Sequence, residues 1–239
     1  MKFLLLQARN PGDDAGEHER LAFREILEIG GAALRPWDLL AGPPPFDLVA
    51  EHDCVLVGGA GEYGIGDAGE HPWLARFIDF CGELAARGSP TFASCFGFQA
   101  MVAAAGGAVE QDVARAEIGT FEVTLTDAGR ADPLFGPLGP QFYAQFGHKD
   151  RALGVPSGLV NLASSARCAF QAFTVPGKPI YATQFHPELS MDRNRDRYFR
   201  YVRNYVRPEM PDTAEQMLAS FRETTEASSL LRRYVEAML

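Results

Sequence analysis

Two short stretches of the chain carry residue types that could act on one another as nucleophile and base. The first is Ser94-Cys95-Phe96-Gly97-Phe98-Gln99. Its cysteine follows the strand-like run Pro90-Thr91-Phe92-Ala93 and leads into Gln99-Ala100-Met101-Val102-Ala103-Ala104-Ala105, a helix-forming segment closed by Gly106-Gly107. A cysteine on such a strand-to-helix turn exposes its sulfur, and the helix N-terminus favours the thiolate and offers backbone N–H donors. Gly97 has no Cβ to obstruct the turn, and Gln99 stands one helical turn on, within reach of a bound molecule. The second stretch is Gln184-Phe185-His186-Pro187-Glu188, where the histidine leaves an apolar run and an extended chain would set His186 and Glu188 on one side. A thiol nucleophile needs a base, and the base needs an orienter. Alone, each stretch has a plain structural explanation, a small core cysteine or a half-buried histidine at a strand end. Together, Cys95, His186 and Glu188 favour nucleophilic catalysis. Cys54, Cys81 and Cys168 fall inside strand or helix patterns and read as core residues.

The elements that must position these residues alternate between short apolar runs and helical periodicity, the mark of βαβ units and a mostly parallel sheet flanked by helices. Phe3 to Gln7 and Asp53 to Val57 read as buried strands. A helix through Leu21, Phe23, Ile26 and Leu27 is expected to stop at Gly30-Gly31, and another runs from Trp73 to Arg87 with Leu74, Phe77, Ile78, Cys81 and Leu84 on one face. From Glu117 to Gln184 the texture turns β-rich and suits a mixed or antiparallel region. After Ser190 the chain reads as helical to its end, with Pro208 and Pro211 as breaks. One α/β domain over residues 1–190 with a helical C-terminal extension over 191–239 follows. The apolar stripes of that extension (Tyr198, Val202 and Tyr205, then Leu230, Leu231, Tyr234, Val235 and Met238) are expected to pack back on their own domain, since exposed apolar patches of that size are uncommon.

Bulk properties bound the function. A chain of 239 residues with 46% hydrophobic content can bury one substantial core. A formal net charge of −9 provides no basic face for phosphates, so neither nucleic acid nor an anionic membrane is an expected partner. No apolar run approaches a bilayer span, and the first residues are too short a stretch for a signal peptide. Four cysteines without CxxC pairing point to a reducing, cytoplasmic setting. Neither a cofactor nor a metal is expected. Gly59-Ala60-Gly61-Glu62-Tyr63-Gly64 matches a dinucleotide fingerprint in letters, but the glycines continue through Gly66 and Gly69 where a helix should begin. His148, Asp150, His186 and Glu188 could in principle ligate a metal, yet they form no helical ligand pair and leave Cys95 idle.

The cysteine turn and the His-Pro-Glu run together resemble class I glutamine amidotransferases, whose nucleophile motif reads Gly-x-Cys-x-Gly-x-Gln. The two motifs stand in the family's order, with His186 91 residues after Cys95. Gly58-Gly59 is similar to the family's oxyanion loop, and His148-Lys149-Asp150 with Val155-Pro156-Ser157-Gly158 resembles a stretch of the amidotransferase domain of GMP synthase. Two departures are Ala93, where the family has glycine, and Ala60-Gly61-Glu62-Tyr63, where it has Pro-x-Ser-Val. The resemblance implies a flavodoxin-like three-layer fold and a Cys95-His186-Glu188 triad that cleaves the γ-amide of glutamine or a γ-glutamyl compound through a thioester. It implies oxyanion donors at the Gly59 and Phe96 N–H groups, and substrate contacts at Gly58, Gln99 and His148. A P-loop is missing and few residues follow Ser190, so the ammonia acceptor is expected to be a separate synthetase subunit. A stand-alone γ-glutamyl hydrolase would use the same triad; a binding or regulatory module would need none.

Overall fold

The computed structural model describes residues 1–239. Strand β1 (Phe3–Ala8) is buried along its whole length, as an unalternating apolar run requires. The chain continues through α1 (Ala15–Leu27), β2 (Leu34–Asp38), the short α2 (Phe46–Ala50), β3 (Cys54–Ala60), α3 (Pro72–Arg87), β4 (Thr91–Ser94) and α4 (Phe96–Ala104). Next come β5 (Val109–Gln111), β6 (Glu117–Leu125), α5 (Asp127–Ala131), β7 (Gln141–His148), β8 (Asp150–Ala152), β9 (Val160–Ser164), β10 (Ala172–Thr174) and β11 (Ile180–Thr183). Four helices close the chain: α6 (Met191–Arg200), α7 (Val202–Tyr205), α8 (Ala214–Ser220) and α9 (Thr225–Met238). No helix is long and apolar enough to cross a membrane.

Nine strands form one sheet in the order β2-β1-β3-β4-β11-β10-β9-β6-β7, and β5 and β8 make a separate antiparallel ribbon. The first five run parallel and the pairs from β11 outward are antiparallel, so the expected mixed region is the β6–β11 half. β11 is the seam: it pairs parallel with β4 and antiparallel with β10. Alternate residues of the central strands feed two apolar layers. Leu5, Leu56 and Phe92 pack with Phe23 of α1 and Leu230, Leu231 and Tyr234 of α9. Leu4, Leu6, Val55, Val57 and Ala93 pack with Leu74, Phe77 and Leu84 of α3 and with Phe98 and Met101 of α4. The result is a three-layer α/β sandwich.

Several expectations shift in detail. α1 ends before the glycine pair, because Glu28 itself takes the left-handed conformation (φ 55°) and its N–H returns to Glu25 O at 3.2 Å. β2 escaped sequence reading: Leu34-Arg35-Pro36-Trp37-Asp38 is an edge strand with little apolar content, where proline is tolerated. Cys168 is buried as expected, but in the connection between β9 and β10 rather than inside a strand. The C-terminal segment is no appendage. Tyr234 is fully buried and its hydroxyl donates to Pro179 O at 2.7 Å, while Tyr198, Tyr205, Met210 and Met217 form a third apolar cluster against Ile118 of β6.

Candidate functional site

Cys95 leaves the carboxyl end of β4, the end of a parallel strand at which α/β sheets carry their sites. It has φ 50° and ψ −100°, a strained conformation for a residue with a side chain and worth about 1–3 kcal/mol. The surroundings enforce it. The Cys95 N–H donates to Thr183 O at 2.7 Å, and Cys95 O accepts the first bond of α4 from Gln99 N–H at 3.1 Å. Gly97 is obligatory at this turn: a Cβ there would lie 2.7 Å from Val57 of the adjacent strand. Burial pushes the Cys95 thiol up to about 12, with Arg197 and the Phe96 N–H pulling the other way. Such a thiol ionises only as a neighbouring base takes its proton.

The candidate base follows the next strand. Thr183 of β11 pairs with Ser94 of β4, so the chain beyond each leaves the sheet side by side. His186 and Glu188 meet on a turn after β11, closed by Leu189 N–H to His186 O at 3.2 Å, and not on the extended segment expected from their spacing. His186 Nδ1 lies 2.6 Å from Glu188 Oε1, and both side chains are buried. Arg197 Nη1 stands 3.3 Å from Nδ1 and 3.2 Å from Nε2 of the same ring. One atom at nearly equal distance from both ring nitrogens cannot lie in the ring plane between them without overlapping Cε1, so the guanidinium lies over the imidazole face. Burial, and next the Arg197 charge, hold His186 below the ordinary imidazole value against the opposing pull of Glu188.

A cavity of about 360 Å³ opens over Cys95. Phe96 and Gln99 line it together with Ala60, Gly61, His148, Asp150 and Tyr205. Gln99 Nε2 donates to Asp150 O at 3.0 Å and to Gln184 Oε1 at 3.2 Å, and Gln184 Nε2 reaches the Cys95 sulfur at 3.7 Å. The glycine pair sits differently from its expected role. Gly58 packs against the carboxylate of Glu19, and the Gly59 N–H donates to Glu19 Oε1 at 3.0 Å, so this loop presents Ala60 and Gly61 to the cavity instead. His148 is likewise engaged elsewhere. Its Nε2 bonds Glu117 Oε2 and its Nδ1 bonds Asp150 O, both at 2.9 Å, which leaves no ring nitrogen for a ligand. His148 and His186 thus bind two different carboxylates and share no ligand set. After Gly64 the chain makes a short 3-10 helix, Ile65–Gly69, and α3 starts only at Pro72, so no helix N-terminus caps the glycine fingerprint.

Sequence reading passed over Glu19 and Arg197 here, and weighed Asp150 only as a metal ligand and as part of the His148-Lys149-Asp150 stretch. Asp150 faces the cavity, half-buried, with burial raising its carboxyl above the usual range. Glu19 is 4% exposed and links Arg9, Gln7 and the Gly59 N–H. Arg197 is 5% exposed. Its one sequence signal is helical phase, since it falls at i+3 from Asn194 and i−4 from Tyr201 on the inward face of α6.

A sharp cysteine turn at the carboxyl end of a parallel strand, with a His–Glu pair just beyond the next, is the arrangement that a thiol nucleophile and its base would need on a three-layer α/β fold. Residues 47–203 match the family model described as glutamine amidotransferase class-I, and the chain belongs to that family. It is 28% identical over 178 residues to a glutamine-hydrolyzing GMP synthase subunit from Halobacterium salinarum, covering 74% of this chain and 87% of that one. Against the longer glutamine-hydrolyzing GMP synthase of Shewanella frigidimarina it is 29% identical, over 77% of this chain but 34% of that protein. A crystal structure of a glutamine amidotransferase from Methylobacillus flagellatus superposes with a TM-score of 0.75 over 100% of this chain and 95% of that one, at 18% identity, and so shares the fold.

Proposed function

We propose that the protein hydrolyses the γ-amide of glutamine or of a γ-glutamyl compound through a γ-glutamyl thioester on Cys95. The observation that carries this reading is the strained Cys95 turn, open to the cavity, standing beside the buried His186–Glu188 pair at the ends of adjacent strands. His186, neutral at rest, accepts the thiol proton as the sulfur attacks the γ-carbonyl carbon, and Glu188 stabilises the imidazolium that forms. The carbonyl π electrons move to oxygen, which takes its hydrogen bonds from backbone N–H groups at the start of α4 and in the glycine loop. Phe96 N–H is the first donor. The second comes from the part of the glycine loop that faces the cavity, at Ala60 and Gly61 in place of Gly59, at about 3–4 kcal/mol per donor. Collapse expels the amine, which takes the proton from His186. Water then adds to the thioester by the same route, releasing the glutamyl acid and restoring the thiol. Asp150, a carboxylate facing the cavity, provides a counter-charge for the substrate's α-ammonium.

Two leaving groups are compatible with this chemistry. Ammonia suits a partner synthetase subunit, in keeping with relatives that are themselves subunits of GMP synthase. A larger amine, and with it a stand-alone γ-glutamyl hydrolase, is favoured by the acidic wall of Glu62, Asp67 and Glu110 beyond the sulfur. The deciding experiment measures release of glutamate and amine across glutamine and a series of γ-glutamyl amines and peptides, with mass spectrometry of acid-quenched protein to detect glutamyl-Cys95. Turnover without an adduct on Cys95 in any single-turnover quench overturns the mechanism.

A further inference from the structure

We infer that Arg197 is a positioning residue of this centre: its guanidinium, held over the His186 ring by α6, keeps the imidazole between Glu188 and the nucleophile and sets a permanent positive charge beside the Cys95 sulfur. The inference rests on the triad reading above and goes beyond it.

The placement is built and costly. One turn before Arg197, Asn194 Nδ2 bonds Gln145 Oε1 at 2.9 Å and Gly119 O and Phe146 O at 3.3 Å, which fixes the inner face of α6 against β6 and β7. Outward, Arg193 pairs with Glu25 and Arg200 with Asp14, both on or beside α1. Arg197 itself points in. No carboxylate stands within ion-pair distance of its guanidinium, its Nε finds no hydrogen-bond partner, and the Tyr205 hydroxyl is a neutral neighbour. A buried cation without a paired anion weakens a fold, and an apolar side chain of similar length would serve stability as well or better. The gain must therefore lie in what the charge faces. It faces the His186 ring, with Nη1 at 3.3 Å and 3.2 Å from its two nitrogens, and Gly59 makes the room: a Cβ there would come within 2.6 Å of Arg197 Nη2 and 3.1 Å of His186 Cε1.

The charges around the centre indicate the effect. His186 is faced by Glu188 on its own turn, Arg197 from α6 and Glu19 from α1. Cys95 is faced by Arg197, by Glu188, by Asp150 of β8 and by Tyr205 of α7. All the carboxylates favour imidazolium and oppose the thiolate; Arg197 is the counterweight on both. Without it, His186 protonates at higher pH and Cys95 ionises at higher pH, so both limbs of a kcat/KM profile move upward. The guanidinium over one face of the ring also limits how far the ring can tilt.

The test compares full-length R197M, R197Q and R197K with wild type on the best γ-glutamyl substrate, alongside C95A. The expected result for R197M and R197Q is a melting temperature equal to or above wild type. Their kcat should fall at least about tenfold with KM within about threefold, and both pH limbs should rise. R197K, which keeps the charge, recovers most of the rate and the wild-type limbs. The pH dependence of iodoacetamide alkylation at Cys95 gives a reading independent of turnover, and its midpoint rises in R197M and R197Q only. Unmoved limbs and an unmoved alkylation midpoint in a folded neutral variant overturn the proposal. So does a loss of stability shared equally by R197K, which would mark a packing role. Turnover persisting in C95A would overturn the triad instead, a separate outcome.

Discussion

The turn that carries Cys95 and the turn that carries His186 lie side by side, yet they are held by different forces. Beyond its backbone bond to Thr183 of β11, the Cys95 turn is fixed by apolar packing: β4 sits between β3 and β11, Gly97 lies against Val57, and the Phe96 ring stacks on Phe77 with centroids 5.6 Å apart. The His186 turn is fixed by polar bonds reaching far along the chain. Its backbone N–H donates to Gln145 O at 2.8 Å, and the Gln145 side chain donates to Arg222 O at 2.9 Å and Thr224 Oγ1 at 3.3 Å, in the connection between α8 and α9. The nucleophile thus depends on close packing, the base on the C-terminal helices. A cavity-forming change should harm the first mainly through stability, and a broken bond should harm the second mainly through rate.

The most severe change is Cys95→Ala. Turnover should vanish while the melting curve stays within a few degrees of wild type, since no thioester can form and little packing is lost. Residual activity above a few per cent of wild type would remove the nucleophile from the comparison. Glu188→Gln should be roughly a hundredfold less damaging than loss of the nucleophile, because an orienting carboxylate acts through the ring and not through a bond to substrate. The same variant gives a signed pH effect. Burial and Arg197 already lower His186, so the wild-type acid limb of kcat/KM should fall below the ordinary imidazole range, the base staying neutral to lower pH. Glu188 opposes that shift, so its loss should move the limb further down. An upward movement would mean that Glu188 does something other than stabilise the imidazolium.

Tyr234→Ala tests how firmly α9 is anchored on the sheet. It should cost about 3–5 kcal/mol, since a fully buried ring packed on Phe92 and Tyr181 and bonded to Pro179 O is removed. Truncation after Val206 goes further, removing Leu230 and Leu231 as well as the Gln145 partners. Apolar stripes that pack back on the domain make a loss of stability the expected result, and the bonds through Gln145 place the rate at risk as well. Thermal melts and kcat measured together would decide it, and a truncated chain with wild-type kcat would break the contrast between the two turns. The mildest change, Gly97→Ala, forces a methyl against Val57 and should cost about 1–3 kcal/mol, a fall of roughly 2–4 °C per kcal/mol. An unchanged melting temperature would show that the Cys95 turn is looser than its packing implies.

Residue pattern along the chain was enough for the central strands, the long α3, the bend at Cys95 and the buried state of the other cysteines, because each depends on neighbours within one or two turns. That Cys95 and His186 each follow a strand was readable for the same reason, from the apolar run that marks it; that β4 and β11 lie side by side is set by the sheet. Edge strand β2, with its proline and polar residues, carries no periodic signal and needs β1 beside it to exist. His148 looked available for a ligand until Glu117, 31 residues earlier, took its second nitrogen. Gly59 looked like an open donor until Glu19, 40 residues earlier, accepted its N–H. Arg197 is one of several arginines on α6, and within that run only its helical phase with Asn194 and Tyr201 distinguishes the one that turns inward. Which polar atoms are spent and which remain free depends on partners brought together across the sheet, and local sequence does not encode those partners.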